Sequence, residues 1–251
     1  MLYLFLQAPF AACRTFTAGW YRPTATFLTP SAAYGLILNI AAVESRLYER
    51  DPGHDGSAPA TFTKPNLPGA RLAVGAARTR ATDSLAASLP TVQTVYQQLH
   101  NYPVGKDAGM PAELSKGTKN NITPVRRELL CNLRCYIGLD ASAELENRVA
   151  RGLKGELNAN RYGVPFLGDN QFLIDHLEIV SPAREPEMSA YWYSVISESS
   201  DERLQSYTAR LTVAVNRGDM SQTDSRLFRP SKTAASTPPA DAWVEVGHNS
   251  N

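Results

Sequence analysis

The run from Val125 to Leu139 limits what this chain can fold into more than any other segment. Val125, Leu129, Cys131, Leu133, Cys135, Ile137 and Leu139 hold odd positions, while Arg126, Glu128, Asn132, Arg134 and Asp140 hold even ones. Successive side chains of a strand point to opposite faces, so the alternation predicts one long strand with a single apolar face. Arg127 is the exception, a cation on the apolar register. The start of such a strand, where the arginines lie, is free to protrude beyond its sheet. Cys131 and Cys135 would lie about 13 Å apart on a strand, too far for one metal ion, so both are expected to be core residues.

Two helices frame this strand. Thr29 is a capping residue and Pro30 suits a first helical position. Ala33, Leu36, Ile37, Ile40, Val43 and Leu47 then recur at helical spacing, which predicts a helix to about Arg50, before Asp51-Pro52-Gly53. Gly35 inside it suggests close approach of a strand or ligand. A second helix is expected from about Ala143 to Leu157, with Glu144 and Glu146 early and Arg148, Arg151 and Lys154 late, as the helix dipole favours. Strands are expected at Leu2–Gln7, Arg71–Ala77, Val92–Leu99 and Phe172–Val180. The order of elements is that of a ferredoxin-like domain. Beyond Ser181 the chain reads as all-β, with strands at Tyr191–Ser197, around Tyr207–Val215 and at Trp243–Val246, and a flexible Pro, Ser and Thr stretch at 230–242. The expected organisation is α+β: a ferredoxin-like domain at 1–180, with an insertion at about 92–127, and a β-rich C-terminal segment at 181–251.

Composition excludes little. Lys and Arg number 25 against 24 Asp and Glu, so any basic surface must come from local segregation of charge. No segment approaches the roughly 18 apolar residues of a membrane span, and the apolar start lacks a positive n-region, which speaks against a signal peptide. Three cysteines, Cys13, Cys131 and Cys135, predict a reducing compartment and no disulfide framework.

Candidate chemistry is concentrated in three places. The polar segment from His100 to Pro124 is long for a loop in a compact domain, which points to function. Within and beside it, Lys116, Lys119, Arg126 and Arg127 occur with no acid between Lys116 and Arg127, interleaved with Asn120, Asn121 and Thr123. Cations beside amides suit contacts to RNA backbone and base edges, and a solvated hairpin is the alternative. The first loop adds Arg14, Trp20, Tyr21 and Arg22, a mixture of charge and stacking surface. The Arg161–Gly168 loop offers glycine-freed amides of the kind that hold phosphate, although a plain turn reads as well. His100, beside Tyr96 and Tyr102, is the histidine best placed to touch a ligand. No Walker, Rossmann, nucleophile-elbow or zincin motif occurs, and no metal or cofactor is expected.

Residues Arg22 to Leu36 read Arg-Pro-Thr-Ala-Thr-Phe-Leu-Thr-Pro-Ser-Ala-Ala-Tyr-Gly-Leu. They resemble the first-helix signature of the fifth Cas family of CRISPR-associated proteins, within the RAMP superfamily, in its DevS-like branch. Arg161 to Gly168 is similar to the family's second signature, a Pro-x-x-Gly loop before the last ferredoxin strand. The resemblance covers about residues 1–180. It implies an RRM-type ferredoxin fold with a protruding β-hairpin thumb. The implied role is a non-catalytic subunit of a type I Cascade complex in antiviral defense, in a prokaryotic cytoplasm. That subunit binds the 5′ handle of the CRISPR RNA, caps the repeated backbone Cas subunit, docks the large Cas subunit and so meets target DNA indirectly. The resemblance places Arg22, Thr29, Ser31 and Tyr34 near the handle, and His100, Lys116, Lys119 and Asn121 on the thumb. One branch of the family instead cuts precursor RNA with Tyr, Lys and His. Its adjacent Lys-His pair is missing here, and Tyr34 or Tyr48, Lys116 and His100 would have to converge for such an endoribonuclease.

Overall fold

A computed structural model describes residues 1–15, 17, 20–47, 63–64, 66–79, 83–103, 120–161, 163–182, 188–196, 207–216 and 220–247, without the side chains of 99–103 and 120–123. Lys116 and Lys119 lie outside the described residues, as do the side chains of His100 and Asn121. The elements, in chain order, are β1 (Leu2–Ala11), β2 (Tyr21–Arg22), α1 (Pro30–Ile40), β3 (Ala70–Ala77), α2 (Leu85–Ser88), β4 (Thr91–Pro103), β5 (Asn120–Ala141), α3 (Ala143–Leu153), β6 (His176–Val180), β7 (Ala190–Val195), β8 (Ala209–Ala214), β9 (Asp224–Pro230) and β10 (Val244–Val246). The protein is α+β, built on a mostly antiparallel sheet.

The sheet runs β6-β1-β5-β3-β7-β9-β8, with β10 on β3 and both β2 and β4 on β5. β5 is the long strand that the alternation predicts. Its lower half pairs with β1 on one side, Leu2 opposite Leu139 through Ala11 opposite Leu130, and with β3 on the other. Its upper half leaves those partners and pairs with β4 instead, Thr91 opposite Cys131 through His100 opposite Ile122. β2 runs parallel to this upper half, with Tyr21 opposite Arg126 and Arg22 opposite Arg127. The result is a narrow ribbon rooted in the sheet.

From Leu133 onward the odd positions of β5 face the helices; the alternation breaks at Asn132, whose φ is 58°, so that Leu130 is buried in the core and Cys131, expected there, is only half-buried. Leu133, Cys135, Ile137 and Leu139 join Leu4 and Leu6 of β1, Leu72 and Val74 of β3, Ala33, Ile37 and Ile40 of α1, and Leu145 and Val149 of α3 in one buried core. Each fully buried Leu or Ile contributes about 1.5–3 kcal/mol. The other sheet face packs Ala73, Val180, Ala190 and Trp192 against the partly buried Tyr3, Phe5, Tyr136 and Trp243. No described helix is long and apolar enough to cross a membrane.

Several boundaries differ from expectation. α1 stops at Ile40, nearly three turns short of Arg50. Its end is a Schellman turn: Val43 N donates to Leu38 O at 2.8 Å, Ala42 N to Asn39 O at 3.0 Å, and Ala42 adopts φ 52°. Arg148 of α3 then donates to the carbonyls of Ala41 (2.9 Å) and Ala42 (3.1 Å), which satisfies the frayed end. α3 ends at Leu153 in the same type of turn, with Gly155 at φ 73°. The expected strand from Phe172 begins only at His176, because Phe172 N turns back to Asp169 O at 2.9 Å. β2 and β9 have no counterpart in the sequence reading. Within 230–242, expected to be flexible, Ala235 exchanges two 2.9 Å backbone bonds with Ala190, and its carbonyl accepts the Trp192 Nε1 hydrogen bond.

Gly35 also departs from expectation: a Cβ there would meet nothing within 4 Å. Replacing it by Ala is therefore expected to stabilise the protein by about 1 kcal/mol, the helix-propensity difference, read as a rise in the thermal midpoint.

Candidate nucleic-acid interface

The entry to α1, the loop after β1 and the end of β8, with Thr212 and Val215, form one cleft. The chain between β1 and α1 doubles back on itself there. Ala25 N donates to Cys13 O at 2.7 Å, Cys13 N to Thr24 Oγ1 at 2.9 Å, and Thr15 N to Pro23 O at 3.3 Å. This narrow loop brings Arg14 and Arg22 to the N-terminus of α1. The space of about 460 Å³ between them is lined by Arg14, Thr15, Thr17, Arg22, Thr29 and Ser31, with Gly168 at its edge. α1 has no acidic residue in its first turn, so nothing there neutralises the positive end of the helix dipole.

Beside the cleft, two guanidinium groups, those of Arg127 and Arg14, share one carboxylate. Arg127 is 8% exposed and donates through Nη2 to Asp169 and through Nη1 to Gln97 Oε1 at 3.2 Å. Its Nε has no hydrogen-bond partner among the described residues, and its guanidinium lies 5.5 Å from the Phe172 ring centroid. Arg14 reaches the same Asp169 at 3.7 Å. No described carboxylate pairs with Arg22. Burial alone would raise the Asp169 carboxyl, but the Gln171 amide, the Arg127 hydrogen bond and the charges of Arg127 and Arg14 hold it below its ordinary value. Arg14 is pushed down first by burial, then by Arg127 and Arg22, against the pull of Asp169. The cluster thus carries more cation than anion, an arrangement that favours a bound polyanion.

The expected site residues separate into groups. Arg14, Arg22, Thr29 and Ser31 do converge on the cleft. The Thr29 hydroxyl is engaged as the helix cap, accepting from Ala32 N at 3.2 Å and bonding Ser31 Oγ at 3.1 Å. Tyr34 stands apart: it is buried, donates to Pro68 O at 2.5 Å, and its hydroxyl is raised by burial to about 12. Arg126 and Arg127 are consecutive on β5 and face opposite sides, so they cannot serve one ligand group together. Arg127 braces the ribbon root, whereas Arg126 is exposed and stacks on Tyr21 at 4.8 Å. Tyr96 is 81% exposed on β4. His100 lies on β4 opposite Ile122, and Asn121 lies on β5. The Arg161–Gly168 loop does not line the cleft apart from Gly168. Arg161 donates to Gly152 O, and Ala12 N donates to Leu167 O at 3.0 Å, so the loop fastens β1 and delivers Asp169.

The sequence reading missed Asp169, Gln97 and Phe172. One signal was available, namely Arg127 on the apolar register of β5, since a buried cation requires a carboxylate. Nothing in the sequence pointed to which one.

No family model matches the sequence, and no curated protein matches it. Among solved structures, this chain is similar to one from a CRISPR RNA-guided surveillance complex, at 14% identity and a TM-score of 0.49, over 96% of this chain and 95% of that one.

Proposed function

We propose that this protein is a non-catalytic RNA-binding subunit of a type I CRISPR surveillance complex, and that it holds the 5′ handle of the guide RNA. The observation that carries the reading is the cleft at the entry to α1. There Arg14 and Arg22 flank the N-terminus of α1, whose first turn carries no acidic residue, while the nearby carboxylate, Asp169, is taken by Arg127. Such a site suits the phosphates of a single strand. The signature from Arg22 to Leu36 forms this cleft's wall, which is the place the family resemblance assigns to the handle. Two further features support the reading. The order β6-β1-β5-β3, with α1 and α3 sharing one core, is that of a ferredoxin-like domain. The β4–β5 ribbon, rooted in the sheet, is the element we assign to the thumb. The repeated backbone subunit and the large subunit are the protein partners this role requires.

A role as endoribonuclease finds less support. Metal-independent cleavage needs a general base for the 2′-hydroxyl. Tyr34, one of its candidates, keeps its proton to about 12 and spends it on the Pro68 carbonyl.

The test is a titration of single-stranded repeat RNA at several salt concentrations. Arg22→Ala is expected to weaken binding roughly 10- to 100-fold, the loss of a charged hydrogen-bond pair. It is also expected to flatten the slope of log K against log salt by about 0.7. Lys116→Ala and Lys119→Ala are expected to act in the same direction with smaller effect. Unchanged affinity and slope in Arg22→Ala would refute the reading. Incubation with precursor RNA in the absence of metal gives the other arm. A single discrete cut that is lost on His100→Ala would replace the binding subunit with the endoribonuclease.

A further inference from the structure

We infer that the ribbon face opposite the cleft is a stacking platform for unpaired nucleobases, built from Tyr21, Arg126 and Tyr96. The inference rests on the RNA-binding reading and adds a second contact surface of different chemistry. Residues directly opposite one another on paired strands share a face. Tyr21 lies opposite Arg126, and Arg126 lies opposite Tyr96. The three side chains therefore form one row across β2, β5 and β4, ring, cation, ring. Arg22 and Arg127 form the adjacent row, on the cleft side.

The row is prepared for flat ligands. The Arg126 guanidinium lies 4.8 Å from the Tyr21 ring centroid. The Tyr21 hydroxyl donates to Glu128, which also accepts from Thr24 N at 3.2 Å, so the ring is held from its far end. Tyr96 is 81% exposed and Tyr21 is 41% exposed, so neither ring is spent on the core.

Charge separates the two faces. On the cleft side Arg14, Arg22 and Arg127 outnumber Asp169. On the platform side Arg126 and Glu128 cancel. A neutral, aromatic, partly cationic surface is a poor phosphate site and a good base-stacking one, because every base has a π-face. Tyr21 and Arg22 are consecutive residues of β2, so one nucleic-acid strand can leave its phosphates on the cleft side of that strand and lay its bases on the other.

The experiment uses the full chain and two probes, a short oligoadenylate and the same ribose-phosphate chain with abasic sugars. Wild type is expected to bind oligoadenylate about tenfold or more tighter than the abasic chain, as one or two lost stacks require. Tyr96→Ala is expected to erase most of that difference while leaving the salt slope as in wild type, and Tyr96→Phe is expected to keep it. The exposure of Tyr96 means that neither variant disturbs the core. Oligoadenylate binding by Tyr96→Ala at wild-type strength would overturn the platform. If Arg22→Ala still flattens the salt slope in that event, the cleft survives and only the platform falls. A wild-type protein that binds neither probe would overturn both. A Tyr96→Ala protein that holds RNA normally but loses association with another protein chain would reassign this face to a protein partner.

Discussion

Asp169→Ala is expected to destabilise the protein by about 3–5 kcal/mol, the cost of leaving a buried cation without its counter-charge. Arg127 is 8% exposed and has no second described carboxylate to turn to. Arg14, at 3.7 Å from the same carboxylate, adds to the repulsion once the anion is gone. Chemical denaturation reads the effect directly. The double replacement Arg127→Met with Asp169→Leu is expected to recover much of the loss, because an apolar pair of similar size removes the unpaired charge along with the pair. The same pair sets an acid limit. The folded carboxyl lies below its ordinary value of 3.8. Its contribution is therefore complete above about pH 4 and is lost as pH falls through the folded value. Wild type should lose stability on that descent more steeply than Asp169→Asn, which has no proton to take up. Parallel curves for the two proteins would count against the coupling.

Gly152→Ala is expected to be nearly as severe, at roughly 3 kcal/mol, although the substitution is small and normally favours a helix. A Cβ at this position would stand 2.9 Å from the Ile40 carbonyl carbon and closer still to its oxygen. Both are backbone atoms at the end of α1, so no side chain can swing aside. The helices must separate, and with them the Arg148 bonds to Ala41 and Ala42. For a chain of this size the thermal midpoint should fall by about 6–12 °C. Gly155→Ala is the control. Its φ of 73° makes any side chain strained, yet the space around it is open, so a cost of about 1–2 kcal/mol is expected. If the two variants melted together, close helix packing at Gly152 would not be the reason for the glycine.

The two glycines of the helices show where sequence reading succeeds and where it stops. Gly35 drew notice because it interrupts an apolar helix, but it faces open space. Gly152 sits on a polar helix among charged residues and drew none, although it is the point where two helices touch. Close approach is a property of pairs of elements, and one element's pattern does not contain it. The end of α1 was hidden for a related reason. Its turn uses Ala42 at a position where glycine is the usual signal, and the turn is held by Arg148 from a helix more than a hundred residues later. By contrast, the existence and length of β5 were legible from its alternation, although the break at Asn132, which puts Leu130 rather than Cys131 in the core, was not. Arg14, Arg22, Thr29 and Ser31 were legible because they lie in one short loop and cap. Tyr34 does not line the cleft with them: it sits more than a helical turn beyond the cap, buried, with its hydroxyl on the Pro68 carbonyl.

β5 is a single strand of 22 residues, roughly 70 Å long at 3.3 Å per residue. About half of that length lies beyond the pairing with β1, so the ribbon behaves as a lever whose fulcrum is at Arg127. Asp169, carried on the turn after Leu167, sets the angle at that fulcrum. A rotation of about 10° there would sweep the far end of the described ribbon, some seven residues away, through roughly 4 Å, a little more than the rise of one strand residue. The pair of Arg127 with Asp169 thus ties the base of the ribbon to the turn after Leu167.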